Sequence, residues 1–504
     1  MPLAPAPLLP GTSPLPTPGR QPPTPRALRI SVLVSLPLLL LALIGGQALL
    51  PRILFLAPSL EARAGVAGVG QTASATFQGY IDTWTARDSS SLPQGGFDKP
   101  ISLQNMQSQA HDFHMNTVII PVVADMPLRS EADITWHNGE ANNVDTLPES
   151  NYVKAIADAR RAGLVPILEL QMVQQDQASA NPSPEFIGET WASSPSTASI
   201  GGEIIGQQIQ IGPTEKAWFD NYTAFAVHYA QVSQKYHLPY FIIGDGLVSV
   251  TYDTDSTNAA NDPDGIDRGV PGDPPCPKAA TGRRECEWRH VVHALRVASY
   301  RTLSDHSKSQ TGGGYTGKLI YAASWTGALD GKATFAEYDH ISWWDAVDYI
   351  GVDAFFALTQ VDGAPTLNVL ENAWHGQGGV AGQGDIYTHL ENVSDTFHRP
   401  LVFTAAGYES VLGSNSQAFK QGDVSAVNIS QDEQANDMQA LLATFTGTSW
   451  WAGVFWSADM PLDRSLQPHW DVGTNWAGQT LATSKLGGKF LAQYYTNNPL
   501  PCAC

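Results

Sequence analysis

The chain has 504 residues, of which 48 are acidic and 28 are basic, so its formal net charge at pH 7 is −20. Charged residues make up 15% of the chain and hydrophobic residues 43%, a composition that excludes wholesale disorder and can supply a large core. The acidic balance argues against a nucleic-acid partner, because such proteins need a basic face. Few charges with many aromatic residues favour a folded domain that binds neutral, polar ligands.

The N-terminal segment is predicted to lie outside the folded domain. Residues 1–29 form a proline-rich tail without acidic residues. Residues 30–50 carry no charge, and this segment is long enough to form a helix that spans a bilayer. Arginines precede this helix, so the tail is expected to be cytoplasmic and the rest extracellular, as a single-pass protein of the cell membrane. A cleaved signal peptide, with a small-x-small site at residues 61–64, is the alternative and gives a secreted protein. Residues 51–75 are then a linker to the domain at 76–504.

Short apolar or β-branched runs recur along the domain and alternate with helix-prone stretches. The runs are Phe77–Ile81, Thr117–Val122, Val165–Leu170, Tyr240–Ile243, Leu319–Ala322, Tyr349–Val352, Leu401–Thr404 and Gly453–Trp456. The helix candidates are 101–115, 150–162, 215–236, 287–306, 431–446 and 476–495. Continuous apolar strands are typical of a parallel sheet covered by helices on both faces. Eight such units predict an α/β fold, a single (β/α)8 TIM barrel; a doubly wound sheet is the competitor, but no glycine-rich phosphate loop follows any strand.

Two long loops, 172–214 and 248–285, follow the third and fourth predicted strands. They are expected at the C-terminal face of the barrel, where barrel enzymes build their sites. Asp253, Asp255 and Asp264 in the second loop are weak calcium candidates, because oxygen-rich residues at alternating spacing can hold that ion. Their spacing fails the EF-hand pattern, so a solvated acidic loop is favoured, and no other cofactor is indicated.

The cysteines fit an exported domain. Cys276 and Cys286 bracket a loop rich in proline and glycine and are predicted to form a short disulfide.

Four segments in the second half of the chain resemble clan A glycoside hydrolases, most closely glycoside hydrolase family 113, the β-mannanase-type barrels. The segments are KLIYAASWTG from residue 318, ISWWDAVDYIGVDAFFAL from residue 341, RPLVFTAAGYESVLG from residue 399 and WWAGVFWSADMPL from residue 450. The resemblance covers roughly residues 76–496. It implies a retaining mechanism, in which a glutamate ending strand four is the acid/base and a glutamate ending strand seven is the nucleophile, about 5–5.5 Å apart.

Both of those glutamate positions hold other residues in this sequence. The family motif I-G-x-E-L reads IGDGL at residues 243–247, so Gly246 stands at the acid/base position. The family motif F-T-E-x-G-Y reads FTAAGY at residues 403–408, so Ala405 stands at the nucleophile position. Neither side chain can attack a carbon or carry a proton, and general acid catalysis alone supplies about 10²–10⁴-fold in rate.

The sequence therefore predicts a membrane-anchored, extracellular protein that binds a neutral polysaccharide of the mannan type, with lost or much reduced hydrolase activity. One alternative is an active hydrolase with a relocated carboxylate pair, Asp245 with Asp353 or Glu409, spaced for inversion. A second alternative is a structural or interaction module on a barrel scaffold.

Aromatic residues near the predicted strand ends are the candidate sugar contacts, because sugar rings pack on aromatic faces while polar groups bind the hydroxyls. Trp84, Trp325 and Trp456 follow or end strands one, five and eight, and Tyr408 follows strand seven. The resemblance implies that Trp456 is the tryptophan at the end of strand eight that forms the floor of the subsite for the reacting sugar.

Overall fold

The structure is a computed structural model. It describes residues 76–82, 97–126, 128, 130–136, 147–174, 187, 194–200, 203–210, 213–251, 283–302, 305–309, 313–325, 337–360, 365–379, 384–416, 418, 429–457 and 485–500. Within these ranges, no helix combines the length and the apolar character needed to cross a membrane. The predicted tail, membrane segment and linker all fall outside the ranges, so the membrane anchor stays a prediction.

Eight parallel strands form a closed barrel in which each strand pairs with its neighbours in chain order and the last pairs with the first. The strands are β1 (Phe77–Ile81), β2 (Thr117–Met126), β3 (Val165–Gln174), β4 (Tyr240–Asp245), β5 (Lys318–Ser324), β6 (Tyr349–Asp353), β7 (Leu401–Ala406) and β8 (Trp451–Trp456). Every residue of β1, β2, β7 and β8 is buried, as expected for strands that lie between a barrel interior and a layer of helices. The predicted (β/α)8 barrel and all eight of its strands are confirmed.

Helices follow the strands and cover the barrel. They are α1 (Pro100–Asp112), α2 (Glu149–Ala162), α3 (Pro213–Lys235), α4 (Arg283–Val297), α5 (Glu337–His340), α6 (Leu367–Trp374), α7 (Ile386–Phe397), α8 (Gln431–Phe445) and α9 (Leu486–Asn497). Side chains begin two of them: Asp385 accepts from the Thr388 backbone N–H before α7, and Ser430 accepts from the Glu433 N–H before α8. Such N-caps satisfy backbone donors that have no partner inside the helix.

Several predicted boundaries were wrong. The helix predicted over 287–306 ends at Val297, and an antiparallel hairpin of Ser299–Thr302 and Asp305–Ser309 follows it. The loop predicted over 172–214 contains a second hairpin, Ser194–Ile200 with Glu203–Gln210. Its two halves flank a Gly-Gly pair in the sequence, a pattern typical of hairpins. Helices α6 and α7 were not predicted.

Aromatic rings fill the N-terminal end of the barrel. The Phe77 ring lies 4.9 Å from that of Tyr240, 5.5 Å from that of Tyr349 and 5.3 Å from that of Phe455, measured between centroids. Gly79 makes room for this packing, because a Cβ there would lie 2.3 Å from the Phe455 ring. The N-terminal end is therefore closed by apolar packing, and a site has to be sought at the other end.

Candidate functional site

Two aspartates meet at the C-terminal end of the barrel. Asp245 is the last residue of β4 and Asp353 the last of β6; on the intervening β5 they pair with Ala322 and Ser324 respectively. Paired residues in parallel strands point to the same face, and small side chains lie between the two aspartates, so their carboxyls reach each other across β5. The two carboxyls lie close enough to act on each other's pKa, and Asp245 Oδ1 and Asp353 Oδ2 are both buried without a hydrogen-bond partner among the described residues.

A third carboxyl joins this pair through an amide. The Gln171 Nε2 of β3 donates both to Glu169 Oε2, at 2.8 Å, and to Asp245 Oδ2, at 3.0 Å. Glu169 lies two residues deeper along β3 than Gln171. Glu169 and Gln171 are 2% and 5% exposed, so this bridge lies inside the barrel mouth rather than on its rim.

A fourth carboxyl comes from the helix that follows β5. Glu337, the first residue of α5, is fully buried and accepts three hydrogen bonds. Its Oε1 accepts from the Tyr321 hydroxyl at 2.7 Å and the Thr251 hydroxyl at 2.8 Å, and its Oε2 accepts from the Ser324 N–H at 2.7 Å. Glu337 thereby connects the segment after β4 to the end of β5. We call Glu169, Asp245, Asp353 and Glu337 the mouth carboxyl cluster.

Burial and mutual repulsion raise the pKa values of this cluster, because a buried carboxylate loses hydration and like charges oppose ionisation. The pKa of Asp245 is raised well above its usual range by burial and by the charges of Asp353 and Glu169. Burial raises the pKa of Asp353 to about 6, against effects of Asp245 and of the hydrogen bond from Thr404, which lower it. Because both pKa values are raised, the pair does not readily carry two negative charges.

The pKa values of the other two members are raised as well. Burial and the charge of Asp353 raise the pKa of Glu169 well above its usual range, and the hydrogen bond from Gln171 opposes this. Burial raises the pKa of Glu337 to about 7, even though three donors stabilise its ionised form. The cluster therefore does not carry four full negative charges near neutral pH.

Gly246 and Ala405, the positions to which the sequence pattern assigns the family glutamates, lie beside the two aspartates. Gly246 directly follows Asp245, has a left-handed φ of 58° and donates its N–H to the Ala322 carbonyl at 2.9 Å. Ala405 lies in β7, pairs with Asp353 and is 2% exposed. Each position therefore has an aspartate as its immediate neighbour.

Sequence and structure comparisons give one consistent likeness. The sequence model of glycoside hydrolase family 113 matches residues 275–467. A solved complex of a family 113 β-1,4-mannanase superposes with a TM-score of 0.52 and 17% identity, over 84% of this chain and 99% of that one. The family 113 β-mannanase of Alicyclobacillus acidocaldarius in complex with ManMIm gives 0.52 and 16%, over 85% and 99%.

The chain resembles glycoside hydrolase family 113. A further family 113 β-1,4-mannanase structure agrees, with a TM-score of 0.51 and 17% identity over 84% of this chain and 99% of that one. No curated protein sequence matches the chain. At these identities the solved structures show the fold alone, and together with the family match they establish a glycoside hydrolase-like barrel.

The sequence suggested two alternative catalytic pairs for this family 113-like barrel, Asp245 with Asp353 and Asp245 with Glu409. Asp245 and Asp353 end strands on either side of β5, and each acts on the pKa of the other. Glu409 is 1% exposed on the segment after β7. The pairing of Asp245 with Glu409 stays a prediction.

The predicted sugar-binding aromatics occupy different environments. Trp325 follows β5 and is partly exposed, with its ring 6.1 Å from that of Phe356. Trp456 is 1% exposed, and its Nε1 donates to the Tyr495 hydroxyl of α9 at 2.8 Å. Tyr408 is also 1% exposed, and burial raises its pKa beyond the ordinary range.

Among these three residues, only Trp325 is not fully buried. Trp84 lies outside the described residues. The sugar-binding role of all four residues stays a prediction.

The calcium and disulfide predictions fall largely outside the described residues. Asp253, Asp255 and Asp264 are not described, and over the described ranges no group of three or more His, Cys, Asp or Glu side chains is arranged to hold a metal ion. Cys286 is disulfide-bonded, whereas Cys276 is not described. The Cys276–Cys286 pairing and the calcium site both stay predictions.

Sequence reasoning missed three members of the site: Glu169, Gln171 and Glu337. Glu169 and Gln171 interrupt the apolar run of β3, and charged or amide side chains inside such a run mark positions that face the barrel interior. That signal was present in the sequence. Glu337 had no comparable signal, because it begins a short helix and lies outside the strand pattern.

Proposed function

We propose that this protein is a carbohydrate-binding, glycoside hydrolase-like barrel that has lost retaining hydrolase activity. One observation carries the proposal: Gly246 and Ala405, at the ends of β4 and β7, supply no carboxyl at the two glutamate positions of the family motifs. Retaining enzymes hold two such carboxyls about 5–5.5 Å apart, one as nucleophile and one as acid/base. Without both carboxyls, that mechanism has no nucleophile and no proton donor at its usual positions.

The arrangement favours binding over bond cleavage. The aspartate pair is buried, and its atoms Asp245 Oδ1 and Asp353 Oδ2 have no hydrogen-bond partner among the described residues. Its oxygens remain strong acceptors for sugar hydroxyls, and hydrogen bonds to charged acceptors are shorter and stronger than neutral ones. Trp325 adds a partly exposed aromatic face at the same end of the barrel. A β-glycan is the first ligand class to test, because the family 113 relatives are β-mannanases.

The test combines hydrolysis and binding on the full-length protein. We expect no release of reducing sugar from β-1,4-mannan and measurable binding of a mannooligosaccharide or another soluble oligosaccharide by calorimetry. Asp245→Asn is the informative variant, with Asp395→Asn as the control, since Asp395 is an exposed carboxylate near the end of α7. Hydrolysis that disappears in Asp245→Asn would refute the proposal in favour of a relocated catalytic centre. No binding to any glycan would favour a structural or interaction module.

We propose further that the barrel is held on the outer surface of the cell membrane. The uncharged segment 30–50 and the arginines before it support this, because positively charged flanks stay in the cytoplasm. Protease added to intact cells should degrade the barrel while a tag on residues 1–29 stays protected. Recovery of the barrel in the medium, without that tag, would favour the cleaved signal peptide instead.

A further inference from the structure

The mouth carboxyl cluster has a net negative character that its described neighbours do not neutralise. Four carboxyls meet there, and the groups described as acting on their pKa values are one another, hydroxyls, backbone N–H groups and the Gln171 amide. Buried cations elsewhere have their own partners: Arg284 binds Glu215, and Lys485 donates to Ser410. Within the described ranges, no lysine or arginine is among the groups acting on the cluster.

The amide at the centre of the cluster is only half satisfied. The Gln171 Nε2 donates to two carboxylates, but its Oε1 is buried without a hydrogen-bond partner among the described residues. A buried polar atom without a partner destabilises the fold, so a ligand that supplies the missing donor gains binding energy there. Gln171 is only 5% exposed, so a donor group of a ligand has to enter the barrel mouth to reach its Oε1.

The buried acceptors Asp245 Oδ1 and Asp353 Oδ2, which have no hydrogen-bond partner among the described residues, indicate what kind of donor would suit this site. Two adjacent carboxylates repel each other in a medium that screens charge poorly. An ammonium group placed beside them offsets that repulsion and leaves both carboxyls ionised. An ammonium group has three N–H donors. The site offers the same number of acceptor groups, which are the two aspartates and the Gln171 Oε1.

We propose that the mouth carboxyl cluster binds the protonated amino group of an amino sugar. The ligand is then a glycan with free amino groups, in place of the neutral glycan predicted from composition. This inference rests on the proposed carbohydrate-binding function and narrows its ligand class. A sugar hydroxyl also donates to a carboxylate, but it does not compensate the charge of two adjacent carboxylates.

The decisive experiment uses two ligands that share the same sugar backbone, one with free amino groups and one with acetylated amino groups. Binding of a β-1,4-linked glucosamine oligomer to the full-length protein is compared by calorimetry with binding of its N-acetylated counterpart of equal length, at a pH where the free amines are protonated. Because charge-assisted hydrogen bonds are about twice as strong as neutral ones, we expect the charged oligomer to bind at least about tenfold more tightly. Equal affinities would overturn the inference and leave carbohydrate binding intact.

Variants separate the cluster from the general acidity of the protein. Asp353→Asn and Asp245→Asn keep the side-chain shape and should remove the preference, whereas Asp395→Asn, an exposed carboxylate near the other end of the barrel, should retain it. A preference that survives both cluster variants would mean unspecific attraction to the net charge of −20 and would overturn the inference.

Salt gives an independent measurement if a variant does not fold. The preference of the wild-type protein should persist at about 1 M salt, where charges at a surface are screened over about 3 Å. Its disappearance at high salt would contradict a buried contact. Failure to bind either oligomer and any neutral glycan would instead refute the proposed function itself.

Discussion

The two ends of the barrel are built from opposite chemistry. At the N-terminal end, the ring of Phe77 packs against those of Tyr240, Tyr349 and Phe455. At the C-terminal end, Asp245 and three further carboxyls are buried with incomplete charge compensation. Apolar packing stabilises the fold, whereas buried repelling carboxyls oppose it. One end is thus optimised for stability, and the other retains a destabilising arrangement of the kind expected at a functional site.

The largest effect is expected from the aromatic end. Phe77→Ala removes a ring that is 1% exposed and contacts three others, so the free energy of unfolding should fall by about 3–5 kcal/mol, the usual cost of such a cavity. Urea unfolding followed by tryptophan fluorescence measures this loss. Phe490→Ala, on the partly buried face of α9, is the control and should lose clearly less. Equal losses would show that the ring cluster is not special to the stability of the barrel.

The mouth carboxyl cluster should make the stability of the protein depend on pH. Glu337 has a pKa raised to about 7 in the folded protein, against about 4.3 for an unperturbed glutamate. The folded state therefore binds its proton more tightly than the unfolded state. The resulting stabilisation is fully present below the unfolded pKa and is lost as pH rises through about 7.

Glu337→Gln isolates that contribution. Between about pH 5 and pH 8, the wild-type protein should lose on the order of 2 kcal/mol more of its unfolding free energy than Glu337→Gln does. Denaturant titrations at the two pH values give the difference, and Asp395→Asn serves as a control that keeps the wild-type dependence. The same pH dependence in wild type and Glu337→Gln would contradict the raised pKa of Glu337.

Gly246 tests whether the backbone at the mouth is specialised. Its φ of 58° is left-handed, so Gly246→Ala should lower the free energy of unfolding by about 1–2 kcal/mol. Gly246→Asn should lose less, because asparagine tolerates this region better than alanine. Thermal unfolding of the two variants side by side gives the comparison. If alanine and asparagine are equally tolerated, the left-handed conformation imposes no constraint at this position.

The smallest effect concerns a single donor to the aspartate pair. The Thr404 hydroxyl donates to Asp353 Oδ1 at 2.9 Å, and Thr404→Val removes that donor while it keeps the side-chain shape. A loss of about 0.5–1.5 kcal/mol in unfolding free energy is expected, as for one hydrogen bond. The control is Thr396→Val, an exposed threonine of α7, which should change stability little. A neutral Thr404→Val would mean that Asp353 is protonated and needs no donor.

The barrel was predictable from the sequence because its strands are continuous apolar runs, the pattern that burial on both faces requires. Gly-Gly between two polar segments marked the hairpin at 194–210 only weakly, and the sequence pattern did not suggest α6 or α7. These elements depend on packing against neighbours, which single-sequence patterns do not encode.

The site was predictable only in part. Asp245 and Asp353 could be located because each ends an apolar strand, and strand ends meet at one face of a barrel. Their relative position could not be predicted, since it depends on the pairing register of β5, where Asp245 pairs with Ala322 and Asp353 pairs with Ser324. Glu337 reaches the same face from a helix, so its position follows from tertiary structure alone.

The aromatic rings at the N-terminal end also determine the route of a ligand. With Phe77, Tyr240 and Tyr349 packed together, aromatic rings occupy the N-terminal end of the barrel. A glycan bound as we propose would therefore lie across the C-terminal end, touching the mouth with one or a few sugar residues while both of its ends remain in solvent. Such a contact would bind a long polymer at any point along its length, because it does not require a chain end.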